Sequence, residues 1–211
     1  MTARYARPRF VRHLSAVCLV ALLGLPPETS AQAAMDPSHS APRVWYPANA
    51  YPRLSLPGGL QETIRSMLDI SKPMQFGDYV WDENRIGKGT VWVRIDLPRQ
   101  ILSVFRGGHE IGTAVILFGT DGKPTPIGGF HVLEKKADYY SHSYHAPMPY
   151  MLRLTDDGVA VHGSDVRQGH ATHGCIGIPL DFARLLFAAT GKGDLVVILP
   201  ARADAGKPAS R

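Results

Sequence analysis

The chain has 211 residues, 45% apolar and 19% charged, globular proportions that exclude a wholly disordered polymer and suit one domain with appendages. Its net charge of +5 is concentrated at the start: without residues 1–33, which hold four Arg and one Glu, 19 basic and 17 acidic side chains remain, a net +2. No block of like charge and no aromatic–basic pattern follows, so nucleic acid is not an expected partner.

Residues 1–33 have the layout of a secretory leader. Arg4, Arg7, Arg9 and Arg12 are followed by the apolar run Leu14–Leu25 and by small residues at Ala31-Gln32-Ala33. That run is far shorter than the roughly 20 residues a membrane-spanning helix needs, and no later segment qualifies, so the mature chain is expected without a transmembrane span. Export to the periplasm or cell wall follows as the expectation. Cys18 lies inside the apolar run and is lost with the leader, leaving Cys175 as the one thiol of the mature chain. A single cysteine in an oxidising compartment forms no internal disulfide; it is a free thiol, an intermolecular link or a nucleophile.

Residues 34–89 read as a linker followed by a short helical extension. Ala34 to Pro57 is rich in Pro, Ser and Ala without a sustained period, and Leu60, Ile64, Met67 and Leu68 then fit one helical stripe that Pro73 ends. At Val91 the period changes. Val91, Val93, Ile95 and Leu97 alternate with Trp92, Arg94 and Asp96, as in a half-buried strand, and open a domain expected over 90–200. Gln100–Phe105 and Glu110–Phe118 are further strands, joined through Gly107-Gly108, a pair suited to a tight hairpin. Phe130–Leu133, Met151–Leu154, Val159–Val161 and Leu195–Leu199 complete a mainly β fold. One clear helix interrupts them, with Asp181 as cap, Phe182, Leu185, Leu186 and Ala189 on one face and Gly191 as its stop. Residues 201–211 form a polar tail.

The densest polar constellation runs from Val161-His162-Gly163-Ser164 to Thr172-His173-Gly174-Cys175-Ile176-Gly177. A thiol attacks as its thiolate, which an adjacent imidazole generates. His162 closes a strand to which the following loop can return Cys175, whereas His173 is only two residues away, too near for good alignment of sulfur and nitrogen; His162 is therefore the expected base. The amides of Gly174 and Cys175 are candidate oxyanion donors. Of the carboxylates, Asp96 fits a hairpin role and Asp165 is left open as a third member. A buried apolar role for Cys175 and a zinc site from His162, His170, His173 and Cys175 are competing readings; the spacing lacks the paired Cys-x-x-Cys or His-x-x-x-His element of most zinc sites, so no metal is expected.

These residues resemble the signature of the YkuD-type L,D-transpeptidases, in which a His-Gly pair precedes Ser-His-Gly-Cys. Val93-Arg94-Ile95-Asp96-Leu97, Thr125-Pro126-Ile127-Gly128-Gly129-Phe130 and Pro147-Met148-Pro149-Tyr150 extend the resemblance over roughly residues 91–199. It implies a β-sandwich-like catalytic domain with one or two short helices, acting on peptidoglycan stem peptides without a cofactor. Cys175 is then the nucleophile and His162 the proton carrier, with the Gly163 carbonyl orienting the imidazole and His173 shaping the site. Tyr150 and Tyr144, beside a lid over 139–149, together with Thr172 and Gly174, are expected at the substrate. A monomer open to acylation by carbapenems is also implied. An L,D-carboxypeptidase and a wall-binding module without turnover are the alternatives. Thr172 stands where the family usually has Ser, and Gly177 where most members have Arg; Arg153, Arg167 or Arg184 are candidates to replace that lost cation.

Overall fold

A computed structural model of the chain describes residues 41–55, 59, 61–119 and 122–200. The expected leader, the first linker residues 34–40 and the tail 201–211 lie outside the described residues.

The stretch ahead of the main alternation is built from strands: β1 (Arg43–Trp45), β2 (Arg53–Ser55), β3 (Gln61–Thr63), β4 (Ser66–Leu68) and β5 (Tyr79–Trp81). Among the described residues the helix expected here is absent; Met67 and Leu68 lie in β4, and Ile64 links β3 to β4. The spacing is helical, but β4 pairs antiparallel with β1 and buries Ser66 and Leu68, so tertiary pairing overrides a weak local period.

The remaining elements are β6 (Val91–Asp96), β7 (Ile101–Arg106), β8 (His109–Val115), β9 (Gly128–His131), β10 (Glu134–Lys136), β11 (Tyr140–Ser141), β12 (Ala146–Pro147), β13 (Met151–Arg153), β14 (Ala160–Gly163), β15 (Ile176–Ile178), α1 (Leu180–Ala189) and β16 (Leu195–Leu199). Gly107 and Gly108 both take positive φ (56° and 86°) and close the expected β7–β8 hairpin. The larger sheet runs β1-β4-β8-β7-β6-β16-β9, with β5 also paired to β8; the second runs β10-β13-β14-β15. After β8 the chain crosses between them, because the Leu117 amide donates to the Gly177 carbonyl (2.8 Å) and the Leu117 carbonyl accepts from the Gly177 amide (2.9 Å) in β15.

Between the sheets and α1 lies one core containing Val93, Ile95, Leu102, Val104, Ile116, Val161, Ile176, Phe182, Leu186 and Val196, each at most 1% exposed. The outer face of the large sheet is covered too. Trp92 stacks on Phe105 (4.3 Å, 9°) and packs with Ile64, Tyr46, Leu54 and Met67 of the extension. Alternation at β6 predicts a strand with one solvated face; Trp92 is instead 2% exposed because the extension shields it. The helix begins two residues earlier than expected: Pro179 occupies the cap position without a side-chain bond, and Asp181 lies in the first turn. An acidic residue there still complements the positive end of the helix dipole.

Candidate active site

The site forms where β14 and β15 end side by side. These strands are parallel, pairing Val161 with Ile176 and His162 with Gly177, and Cys175 immediately precedes β15. Register alone therefore brings the two ends of the polar constellation together. Cys175 and His162 line one pocket of about 140 Å³ with Thr172, His173, Tyr144, Ala146 and Met148.

His162 Nδ1 lies 2.9 Å from the Gly163 carbonyl oxygen. A carbonyl only accepts, so Nδ1 carries the proton and Nε2 presents its lone pair. Burial pushes the His162 imidazole below its ordinary pKa, partly offset by that bond. Asp165, left open as a third member, pairs with Arg167 (2.7 Å) and is largely exposed. A backbone carbonyl takes the orienting position instead.

Cys175 is 8% exposed and its sulfur lies 3.9 Å from the Gly158 carbonyl oxygen, at the long limit for a thiol donor. It packs among Met148, Met151 and Ala160, so its wall is apolar on one side and polar toward His162. Burial raises the thiol pKa; bonding at the Ala160 backbone and the Lys123 charge lower it, and Asp157 raises it further. The resting pair is accordingly a neutral thiol and a neutral imidazole lining one pocket.

Gly174 holds φ +100°, a conformation that L side chains rarely adopt, and so turns the chain sharply into Cys175. The Thr172 hydroxyl donates to the Cys175 carbonyl oxygen, bracing the turn. His173 reaches the pocket and stacks on Tyr144 (5.3 Å, 20°). The lid region is a small hairpin: β11 and β12 pair, and Tyr144, Ala146 and Met148 reach the pocket from its turn and returning strand. Tyr150 is not among the lining residues; with φ +56° it packs on Phe187 against the core.

Gly177 has a steric reason to lack a side chain. A Cβ there would stand 2.9 Å from Ser164 Cβ and 3.2 Å from Ser164 Oγ. None of the three arginines suggested as substitutes lines the pocket: Arg153 binds Glu134 (3.0 Å) and Asp156 (3.7 Å), Arg167 binds Asp165, and Arg184 lies on α1 near Tyr79. Sequence reasoning missed Lys123, whose ammonium donates to the Tyr144 hydroxyl and lies 5.2 Å from the ring centre. Its Asp-Gly-Lys context reads only as a turn; the one available signal was its position just ahead of Thr125-Pro126. Among the described residues, no three His, Cys, Asp or Glu side chains converge as a metal-binding set.

A thiol, an oriented imidazole and a glycine turn behind a lid are the parts of a cysteine acyl-transfer site. Residues 90–198 match the YkuD L,D-transpeptidase catalytic domain model, and the chain belongs to that family. L,D-transpeptidase 1 of Mycobacterium tuberculosis is 32% identical over 114 residues, covering 46% of this chain and 45% of the relative, so the similarity spans under half of either protein. The structure of the L,D-transpeptidase LdtMt1 in complex with imipenem superposes with a TM-score of 0.50 at 25% identity, covering 52% of this chain and 59% of that one. An L,D-transpeptidase from Stackebrandtia nassauensis shares the fold, with a TM-score of 0.50 at 23% identity over 56% of this chain and 58% of that one.

Proposed function

We propose that the protein is an exported cysteine L,D-transpeptidase acting on peptidoglycan stem peptides. The observation that carries this reading is the single pocket shared by Cys175 and His162, with the Gly163 carbonyl fixing the imidazole tautomer. His162 Nε2 takes the Cys175 proton as sulfur attacks the carbonyl of the third residue of a tetrapeptide stem. Amides at the Gly174–Cys175 turn stabilise the developing oxyanion. Collapse breaks the peptide bond, the imidazolium protonates the departing amine, and D-Ala leaves behind a thioester. A neutral acceptor amine then attacks the thioester and gives its proton to His162, and the thiolate departs and recovers that proton. The new bond is a 3-3 cross-link, and no cofactor enters. In this scheme His173 and Tyr144 form the wall that positions the stem, and Thr172 holds the nucleophile's backbone.

Mature protein incubated with tetrapeptide muropeptides should release D-Ala and form 3-3 dimers. Loss of both activities in Cys175→Ala is the expected result; unchanged activity would sink the mechanism. Hydrolysis of the same acyl-enzyme is the second reading, favoured by a small, partly apolar pocket that does not itself identify an acceptor. Product masses with and without an acceptor amine separate the two. The imipenem complex of LdtMt1 and the Cys175 thiol here support acylation by carbapenems, read as a covalent adduct on Cys175 by mass spectrometry. The leader layout of residues 1–33 supports action in the periplasm or cell wall, tested by fractionating cells that express the full chain.

A further inference from the structure

The pocket poses an electrostatic question that the nucleophile and base do not answer. Under the proposed function, which this inference rests on, the donor ends in D-Ala with a free carboxylate one residue beyond the attacked carbonyl. Backbone dimensions put that carboxylate about 4–5 Å from the reacting carbon, so the site must receive an anion close to the thiol. Gly177 contributes no cation and has no room for one, while Arg153 and Arg167 are committed to acidic partners.

Lys123 is the cation that the fold delivers. The loop after β8 presses on the cysteine turn: a Cβ on Gly119 would stand 2.2 Å from the Lys123 carbonyl oxygen and 2.7 Å from Gly174 N. A Cβ on Gly174 would stand 3.7 Å from Lys123 Cγ. The Lys123 stem therefore runs alongside the turn that carries Cys175. Its head is positioned as well, bonded to the Tyr144 hydroxyl, while Tyr144 lines the thiol pocket and stacks on His173. An ammonium has three donors, and the bond to Tyr144 uses one, leaving two for a ligand. Because the head is solvent-exposed, approach of an anion requires little rearrangement.

We propose that Lys123, held at the mouth of the pocket by Tyr144, is the specificity residue that binds the terminal carboxylate of the donor stem peptide. It performs the recognition that no side chain at position 177 can perform. The ligand class is a peptide ending in a free D-amino acid, and Lys123 discriminates against the same peptide ending in an amide.

The test compares two synthetic donors, a tetrapeptide with a free C-terminal carboxylate and its carboxamide, with the mature wild-type protein, Lys123→Ala and Lys123→Arg. Acyl-enzyme formation and kcat/KM are the readouts. Wild type should prefer the carboxylate. Lys123→Ala should lose about threefold to fivefold on that donor and show no comparable loss on the amide, as expected for one exposed charged contact. Lys123→Arg should restore most of the preference. Equal losses on both donors would mean that Lys123 only latches the lid, and an unchanged ratio would mean that it plays no part; either overturns the inference while leaving the transpeptidase reading intact. Wild type that turns over neither donor overturns the proposed function, and this inference with it.

Discussion

Gly177→Ala isolates the steric reason for the missing arginine. Gly177 has no positive φ, so alanine is conformationally acceptable and slightly favoured in a strand; any loss must come from contact. The new methyl would lie 2.9 Å from Ser164 Cβ, roughly 0.7–1 Å inside ordinary carbon–carbon contact. Recoil is restricted on both sides, because β15 pairs with β14 on one flank and Gly177 bonds Leu117 through its amide and carbonyl on the other. Overpacking of this kind costs about 1–3 kcal/mol. For a domain of this size that lowers Tm by roughly 3–9 °C. Thermal denaturation of wild type, Gly177→Ala, Ser164→Gly and the double variant forms a cycle. The double variant should recover at least half of the Gly177→Ala loss, a coupling of about 1 kcal/mol. Strictly additive losses, or a Gly177→Ala protein melting with wild type, would refute the steric explanation.

The remaining expectations concern titration and packing. Cys175 is raised and His162 lowered in pKa, both chiefly by burial, so alkylation of the folded thiol by iodoacetamide should keep accelerating past the pH at which an unstructured cysteine peptide levels off. The acid limb of kcat/KM should fall below the ordinary imidazole range, since activity needs neutral His162 and is lost as pH drops through its folded value. Glu110, 2% exposed and raised by burial, favours its protonated form when folded. Its contribution is therefore full below the unfolded Glu value and lost as pH rises through the folded one, and Glu110→Gln should flatten that part of a stability–pH curve. Phe182, 0% exposed and set edge-on to Trp81 at 5.5 Å, should cost about 3–5 kcal/mol when cut to Ala, measured by denaturant titration.

Much of the central domain was readable because two periodicities are strong there. The β6–β7 and β7–β8 pairs, the Gly107-Gly108 turn and α1 all follow from alternation, glycine pairs and one apolar helical face. The pairing of His162 with Cys175 was readable because His-Gly and His-Gly-Cys bracket a single loop. The extension was not: β1 to β5 are three residues each, too short for a period, and β1, β4 and β5 exist through pairing with partners distant in sequence. Lys123 was hidden for the same reason, since its partner Tyr144 lies 21 residues away on another loop. The outward residues of β6 misled because alternation reports side, not what covers that side.

The boundary of inheritance and the boundary of folding are different places in this protein. The family match starts at residue 90, yet β8 is completed on its free side by β5 and β4, which come earlier in the chain. The joint is polar and specific: the Glu110 carboxyl group accepts from Leu68 N (2.9 Å), the Ala41 amide donates to Asp82 (2.8 Å), and Arg43 reaches the carbonyls of Glu110 and Asp82. Cutting at residue 90 would leave a row of unpaired strand groups beside a bared Trp92 and Phe105, the kind of surface on which chains join edge to edge. A fragment of residues 90–200 should accordingly aggregate where residues 41–200 stay dispersed, a difference that size-exclusion chromatography reads directly. Any transplant of this catalytic unit into another protein must carry its sheath of short strands along, because the motif travels alone in sequence but not in space.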